Sequence, residues 1–194
     1  MKKLILTAAL GVACVSAFAQ GTFNFNNAGV GYTAKILDTA GVGLSGGAWD
    51  VDLYWGAAGV TDSTTLAALG APSTFSTVAS QAGYFFGGVR TVPNGPPGGG
   101  TITGQLRVWE ASAGSTWTQA AGTPGAQIGS SVLFQITLAN PNASPPGTPV
   151  GPGNINGHGF SLTLVPSGPP SPEPSTLALA GLGLAGMLML RRRK

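Results

Sequence analysis

Apolar and polar side chains alternate most clearly in residues 49–55. Trp49, Val51, Leu53 and Trp55 alternate there with Asp50, Asp52 and Tyr54. A period of two is typical of a β-strand with one face turned inward, whereas a helix would scatter the same residues around its circumference. We therefore predict a strand at this position, with its two tryptophans packed in the core.

The same alternation recurs along the chain between residues 20 and 165. It involves Phe23 and Phe25; Leu106 and Val108; Val132, Phe134, Ile136 and Leu138; and Phe160, Leu162 and Leu164, with residues 32–37 and 84–89 as further candidates. Proline and glycine predict loops at 93–100 and 140–157, and residues 64–69 favour one helical turn. Seven short strands with turn-rich connections predict an all-β fold, a single β-sandwich of jelly-roll or immunoglobulin-like type over residues 20–165.

The first part of the chain has the pattern of a secretory signal peptide. Lys2 and Lys3 precede an uncharged apolar run, and the small residues Ala17 and Ala19 follow it. Small side chains at these two places fit the narrow subsites of signal peptidase. We predict that residues 1–19 are removed after Ala19, so that the protein leaves the cytoplasm.

Removal of the two ends changes the composition of the mature protein. The whole chain has a formal net charge of +3, but residues 20–174 carry three basic against six acidic side chains, a net charge of −3. No basic patch remains, so we expect no role in nucleic-acid binding. Cys14, the only cysteine, lies in the predicted signal peptide, which predicts a mature chain without disulfides; its acylation as in a lipoprotein is the alternative.

The last residues of the chain form a tail in three parts. They are Pro172, Glu173 and Pro174, then the uncharged apolar segment 175–190, then Arg191, Arg192, Arg193 and Lys194. This order resembles the PEP-CTERM sorting signal over residues 172–194. The resemblance implies recognition by exosortase, a membrane protease-transferase that cuts near the Pro-Glu-Pro.

The apolar segment of the tail is predicted to be a single transmembrane helix. A helix over residues 175–190 would be about 24 Å long, short of the roughly 30 Å hydrocarbon core, but flanking arginines can reach the interface. The basic cluster would stay on the cytoplasmic side, which leaves residues 20–174 outside. We expect an intermediate at the inner membrane of a Gram-negative bacterium and then a cell-surface or extracellular protein, with residues 166–171 as a proline-rich spacer. A permanent membrane anchor is the alternative.

The middle of the chain offers a second, looser resemblance. The segments GYFFGGVRTVPNGPPGGG, GQLRVWE, AGSTW and SVLFQITL occur in this order. The arrangement is similar to PEP-CTERM proteins of Verrucomicrobia-type bacteria that are uncharacterised, and it implies no activity.

Few residues of the middle suggest catalysis or metal binding. Asp50 and Asp52 are spaced roughly 7 Å apart on one strand face, as paired carboxylates of a hydrolase can be, but two solvated acids are the simpler interpretation. The single histidine, His158, lies in a glycine-rich loop without a nucleophile motif, and we expect it to be exposed. Calcium could use Asp38, Asp50, Asp52 and Asp62, yet no spaced calcium motif occurs. We predict no enzyme, no cofactor and no metal site.

Two of the four tryptophans raise the possibility of carbohydrate binding. Trp109 lies on the strand face opposite Leu106 and Val108, and Trp117 lies in a Gly-Ser-Thr turn, so we expect both indoles to be exposed. The leading hypothesis is a non-catalytic protein of the cell surface or extracellular matrix. The alternative is a secreted glycan-binding or glycan-active β-sandwich module, with polysaccharide as its partner.

Overall fold

The structure, a computed structural model, describes residues 20–70 and 72–166. The predicted signal peptide, the spacer beyond Pro166 and the predicted sorting signal, with its membrane segment 175–190, lie outside these residues. Within the described ranges, no helix combines the length and the hydrophobicity that a membrane crossing requires.

Strands make up most of the regular secondary structure of the described chain, which confirms the all-β prediction. They are β1 (Thr22–Asn26), β2 (Ala28–Gly29), β3 (Tyr32–Thr33), β4 (Ile36–Leu37), β5 (Trp49–Ala57), β6 (Ala67–Ala68), β7 (Ser73–Thr74), β8 (Phe86–Thr91), β9 (Thr101–Glu110), β10 (Gln127–Ser130), β11 (Phe134–Thr137), β12 (Phe160–Ser161) and β13 (Thr163–Leu164). One short helix, α1 (Trp117–Ala121), follows β9. The helical turn predicted at 64–69 is instead a 3-10 turn, Ser63–Thr65, followed by β6.

The two longest strands, β5 and β9, form the centre of a seven-stranded sheet. They pair antiparallel, from Trp49 opposite Glu110 to Ala57 opposite Ile102. The outer side of β5 takes β7 and β6, and the outer side of β9 takes β11 and β10. Strand β13 lies at the edge beyond β10, where the N–H of Val165 donates to the carbonyl of Ala126 at 2.8 Å and its carbonyl accepts from Gly125 at 3.0 Å.

A buried serine lets β9 pair with two successive strands on one side. Ser131 follows β10, and its hydroxyl accepts from the N–H of Leu106 at 3.0 Å and donates to the carbonyl of Val132 at 2.8 Å. Its own N–H donates to the carbonyl of Leu106, and its carbonyl accepts from the Gln105 amide at 2.9 Å. The backbone groups left between the two strand pairings are thereby satisfied.

The second layer of the fold consists of two-stranded pieces. They are the antiparallel pair β1–β8, the hairpin β2–β3 and the parallel pair β4–β12. The core between this layer and the large sheet joins Phe25, whose ring centroid is 4.7 Å from that of Phe85, to Leu53 and Leu106. Trp49 and Trp55 pack against this core, and Phe134, Ile136, Leu138 and Leu162 are buried, whereas Val132 and Leu164 are exposed. The jelly-roll or immunoglobulin-like type stays a prediction.

The fully buried side-chain amide of Asn27, which the alternation pattern does not reveal, connects parts of the second layer by hydrogen bonds. The Asn27 amide nitrogen donates to the carbonyls of Ala34 at 2.8 Å and Gly83 at 2.9 Å, and its oxygen accepts from the N–H of Phe85 at 2.8 Å. Gly83 has φ +92°, a conformation that favours glycine, and a Cβ there would also crowd Lys35. One polar side chain therefore replaces regular strand pairing among three segments.

Candidate functional site

The face of β9 that carries Trp109 is covered, so the expectation that this indole is exposed is wrong. Only 2% of Trp109 is exposed, and its indole N–H donates to the carbonyl of Gly114 at 3.0 Å. The chain that follows β9 turns back across this face, and α1 contacts the strand with Ala120 fully buried. Trp109 is therefore packed beneath α1 and the chain that follows β9, and it does not present its ring to a sugar.

Trp117 is half-buried beside a charged side chain on the same side of the sheet. The guanidinium carbon of Arg107 lies 4.0 Å from the ring centroid of Tyr54 and 5.6 Å from that of Trp117. Arg107 also donates to the carbonyl of Ser63 at 2.6 Å and to the Gln105 side chain at 3.0 Å. Burial lowers the pKa of Arg107 from its ordinary value. Arg107, Trp117, Gln105 and Ser63 line an open cleft of about 400 Å³, which we call the Trp117 cleft.

The two acids predicted as a pair on β5 differ in environment. Asp52 is 3% exposed and accepts hydrogen bonds from the N–H groups of Leu53 and Gly70, each at 2.9 Å. The prediction that it is solvated is wrong, because the loop after β6 closes over it. Asp50 is partly exposed, and burial raises its pKa above the ordinary value. The Asp52 carboxylate therefore stabilises the backbone of β5 and of the loop after β6.

The other two predicted calcium ligands also stabilise turns. Asp38 accepts from the N–H groups of Ala40 and Val42. Asp62 accepts from the hydroxyl and the N–H of Thr64, and these bonds lower its pKa. In the described part of the chain, no three or more histidine, cysteine, aspartate or glutamate residues come together as metal ligands.

His158 is exposed, as predicted, in the loop before β12. Its backbone N–H donates to the carbonyl of Ile155 at 2.9 Å.

The loops predicted at 93–100 and 140–157 are confirmed, apart from a 3-10 turn at Gly153–Ile155.

A larger cleft, of about 600 Å³, opens between β1 of the second layer and β11 of the large sheet, and it was not predicted from the sequence. We call it the amide cleft. Its polar lining comprises Asn24 and Asn26 of β1, Tyr32 of β3, Gln135 and Thr137 of β11 and Asn154 of the following loop. The alternation of Asn24 and Asn26 with the buried Phe23 and Phe25 was an available signal. This alternation indicates that one face of β1 is polar, but it does not indicate which other segments lie beside that face.

Comparison with known proteins identifies the tail. The family model described as the PEP-CTERM protein-sorting motif matches residues 172–194. Proteins with this motif form a class of secreted proteins that are sorted at a membrane. The chain thus carries the PEP-CTERM sorting motif that the tail predicted, and the motif implies processing by the membrane enzyme exosortase.

The comparisons do not extend to the folded middle. No curated protein and no solved structure matches the chain. The similarity of the middle to PEP-CTERM proteins of Verrucomicrobia-type bacteria therefore stays a prediction.

Proposed function

We propose that the chain delivers a non-catalytic β-sandwich domain to the cell surface or the extracellular matrix. The observation that carries this proposal is the PEP-CTERM motif at 172–194. Signal peptidase would release residues 1–19, the tail would hold the protein at the inner membrane, and exosortase would then process it near the Pro-Glu-Pro. The mature domain acts as a structural or binding component.

The contacts of the acidic side chains support a role without catalysis. Asp38 and Asp62 accept hydrogen bonds in turns, and Asp52 accepts two backbone N–H groups beneath a loop. A general acid or base needs a carboxyl group that can reach a substrate, whereas these three carboxylates accept hydrogen bonds from the protein's own backbone and side chains. Exposed His158 lies in a separate loop.

Mass spectrometry of the protein isolated from producing cells tests the sorting step. We expect a mature form that begins at Gln20 and has lost residues 191–194. Replacement of Pro172, Glu173 and Pro174 by alanine should leave the tail intact, because the processing site is altered. The matched control, Pro169→Ala with Pro170→Ala, changes the neighbouring spacer and should be processed normally. A parent protein that still ends in Lys194 would contradict processing and favour a permanent anchor.

Glycan binding at the Trp117 cleft is a second candidate function. It is favoured by the half-buried indole of Trp117, the one of the two predicted aromatic contacts that reaches a cleft. An array of glycans probed with the isolated protein and with Trp117→Ala tests it. This second function requires that Trp117→Ala abolish glycan binding, and a parent protein that binds no glycan counts against it.

A further inference from the structure

The amide cleft is built from segments that are distant in the chain. Strand β1 supplies one wall, the β2–β3 hairpin and the loop around residues 149–154 supply the sides, and β11 supplies the other wall. Its volume of about 600 Å³ lies within the range of about 300–1,000 Å³ that is usual for ligand sites.

Uncharged hydrogen-bonding groups dominate the polar lining of the amide cleft. Among the described residues that line it, none carries a charge. The Asn24 side-chain amide has no hydrogen-bond partner within residues 20–70 and 72–166, so it can both donate to and accept from a ligand. Gln135 uses its amide nitrogen on Thr103, and Asn154 uses its own on the carbonyl of Gln135, so the amide oxygen of each can still accept.

Tyr32 is held in place at the side of the cleft. Its hydroxyl donates to the side-chain oxygen of Asn26, and its ring lies so close to Gly29 and Gly151 that a Cβ at either glycine would overlap it. Burial raises the pKa of Tyr32, so its hydroxyl stays protonated at neutral pH. The cleft therefore has a fixed aromatic ring between amide groups, with the exposed side chains of Val30 and Val150 at its rim.

The backbone at the walls argues against an added peptide strand. The N–H of Asn24 already donates to the carbonyl of Val150 at 3.0 Å, and the carbonyl of Gln135 accepts from Asn154 at 3.0 Å. A peptide that pairs by β-augmentation needs free backbone groups on a strand edge. These two backbone groups are therefore not available to an added strand.

We propose that the amide cleft binds a neutral glycan chain. Sugar rings combine hydroxyl groups, which donate and accept hydrogen bonds, with apolar C–H faces, and the cleft offers partners for both. Asn24, Gln135 and Asn154 face the hydroxyl groups, while the Tyr32 ring and the two rim valines contact the C–H faces. The Trp117 cleft fits this ligand less well because the positive charge of Arg107 lies against its tryptophan.

This proposal extends the proposed function and rests on it for one point only, the extracellular location of the domain. Its test is a binding titration of the protein isolated from producing cells with cellohexaose, maltohexaose, mannohexaose and xylohexaose. We expect at least one of them to bind. Asn24→Ala should weaken that affinity about three- to tenfold, which is the effect of one lost hydrogen bond, and Tyr32→Ala, which removes the ring that contacts the sugar, should weaken it at least as much. Asn142→Ala, in an exposed loop outside the cleft, is the matched control and should bind as the parent does.

Three results would overturn the proposal. They are no binding of any of the four neutral hexasaccharides, tighter binding of the anionic hexagalacturonate, and binding that Trp117→Ala abolishes while Asn24→Ala leaves it unchanged. Displacement of the bound hexasaccharide by an unrelated uncharged peptide would also contradict it. Tail processing, measured by mass spectrometry on the same preparations, is independent of all four, so a failed glycan site and a failed sorting proposal remain distinguishable.

Discussion

The two faces of the β5–β9 pair are both buried, but they are packed by different means. On the core face, Leu53 and Leu106 contact other apolar side chains and are at most 1% exposed. On the opposite face, Asp52, Arg107 and Trp109 are held by directed hydrogen bonds and by ring contacts. Alternation along a strand thus indicates which face is polar, and it does not indicate which face is solvent-exposed.

This difference predicts different responses to substitution. Apolar packing depends on volume and tolerates a change of shape that conserves it. A network of hydrogen bonds depends on the identity of each donor and acceptor, because an unpaired buried group costs free energy. The predictions below use this contrast.

Trp109→Ala should cause the largest loss of stability on either face. Removal of the indole leaves a cavity under α1 and an unpaired Gly114 carbonyl, so we expect the free energy of unfolding to fall by about 3–5 kcal/mol. Chemical denaturation measures this change, with Trp117→Ala as the matched control on the same side of the sheet. A loss below about 1 kcal/mol would mean that the packing of α1 over Trp109 contributes little to the stability of the fold.

Leu53→Ala on the core face should cost about 2–5 kcal/mol, because Leu53 has no exposed surface and the site cannot fully collapse. Leu53→Met conserves volume and should cost less than about 1.5 kcal/mol. Equal losses for the two variants in the same denaturation experiment would show that this face is not packed by volume.

Arg107→Lys should be costly although it keeps the charge. Lysine cannot reproduce the planar group that lies over Tyr54 and donates to both Ser63 and Gln105, so we expect a loss of about 1–2 kcal/mol. Thermal unfolding at matched ionic strength measures it. Lys35→Arg, at an exposed position, is the control for the reverse exchange, and a stability of Arg107→Lys equal to that of the parent would be inconsistent with the network.

Asp50→Asn should have the smallest effect, and that effect should depend on pH. Burial raises the pKa of Asp50 above 3.8 in the folded state. Its contribution to stability is therefore complete below pH 3.8 and is lost as the pH rises through the raised value. The asparagine variant should melt slightly higher than the parent at pH 7, and melting curves should converge below pH 3.8. A difference that does not vary with pH would contradict this assignment.

Local patterns were sufficient to predict the principal strands. Residues 49–55 and the pair Leu106 and Val108 lie in β5 and β9, as their alternation indicated. The cover over Trp109 could not be predicted, because the polar neighbours Gln105 and Arg107 gave that face the pattern of a solvated surface. Burial there depends on where the chain of α1 folds back, which is a tertiary contact.

The candidate sites show the same limit. Trp117 stands out in the sequence because of its residue type. The amide cleft consists of common residues whose spacing carries no motif, with Asn24 and Asn154 separated by most of the domain. They come together only because the fold places β1, β11 and the following loop around one cleft, and no periodicity along the chain encodes that arrangement.

Because β13 ends at the edge of the sheet, the short segment that follows it limits how far the Pro-Glu-Pro can lie from the folded domain. The last backbone bonds of the described domain are those of Val165 with Gly125 and Ala126. Pro172 is the seventh residue after Val165, and a fully extended chain over those seven steps reaches about 25 Å at most. An enzyme that cuts at the Pro-Glu-Pro must therefore work within that distance of the sheet edge. The folded domain therefore limits, by steric hindrance, the size of an enzyme that can reach the tail.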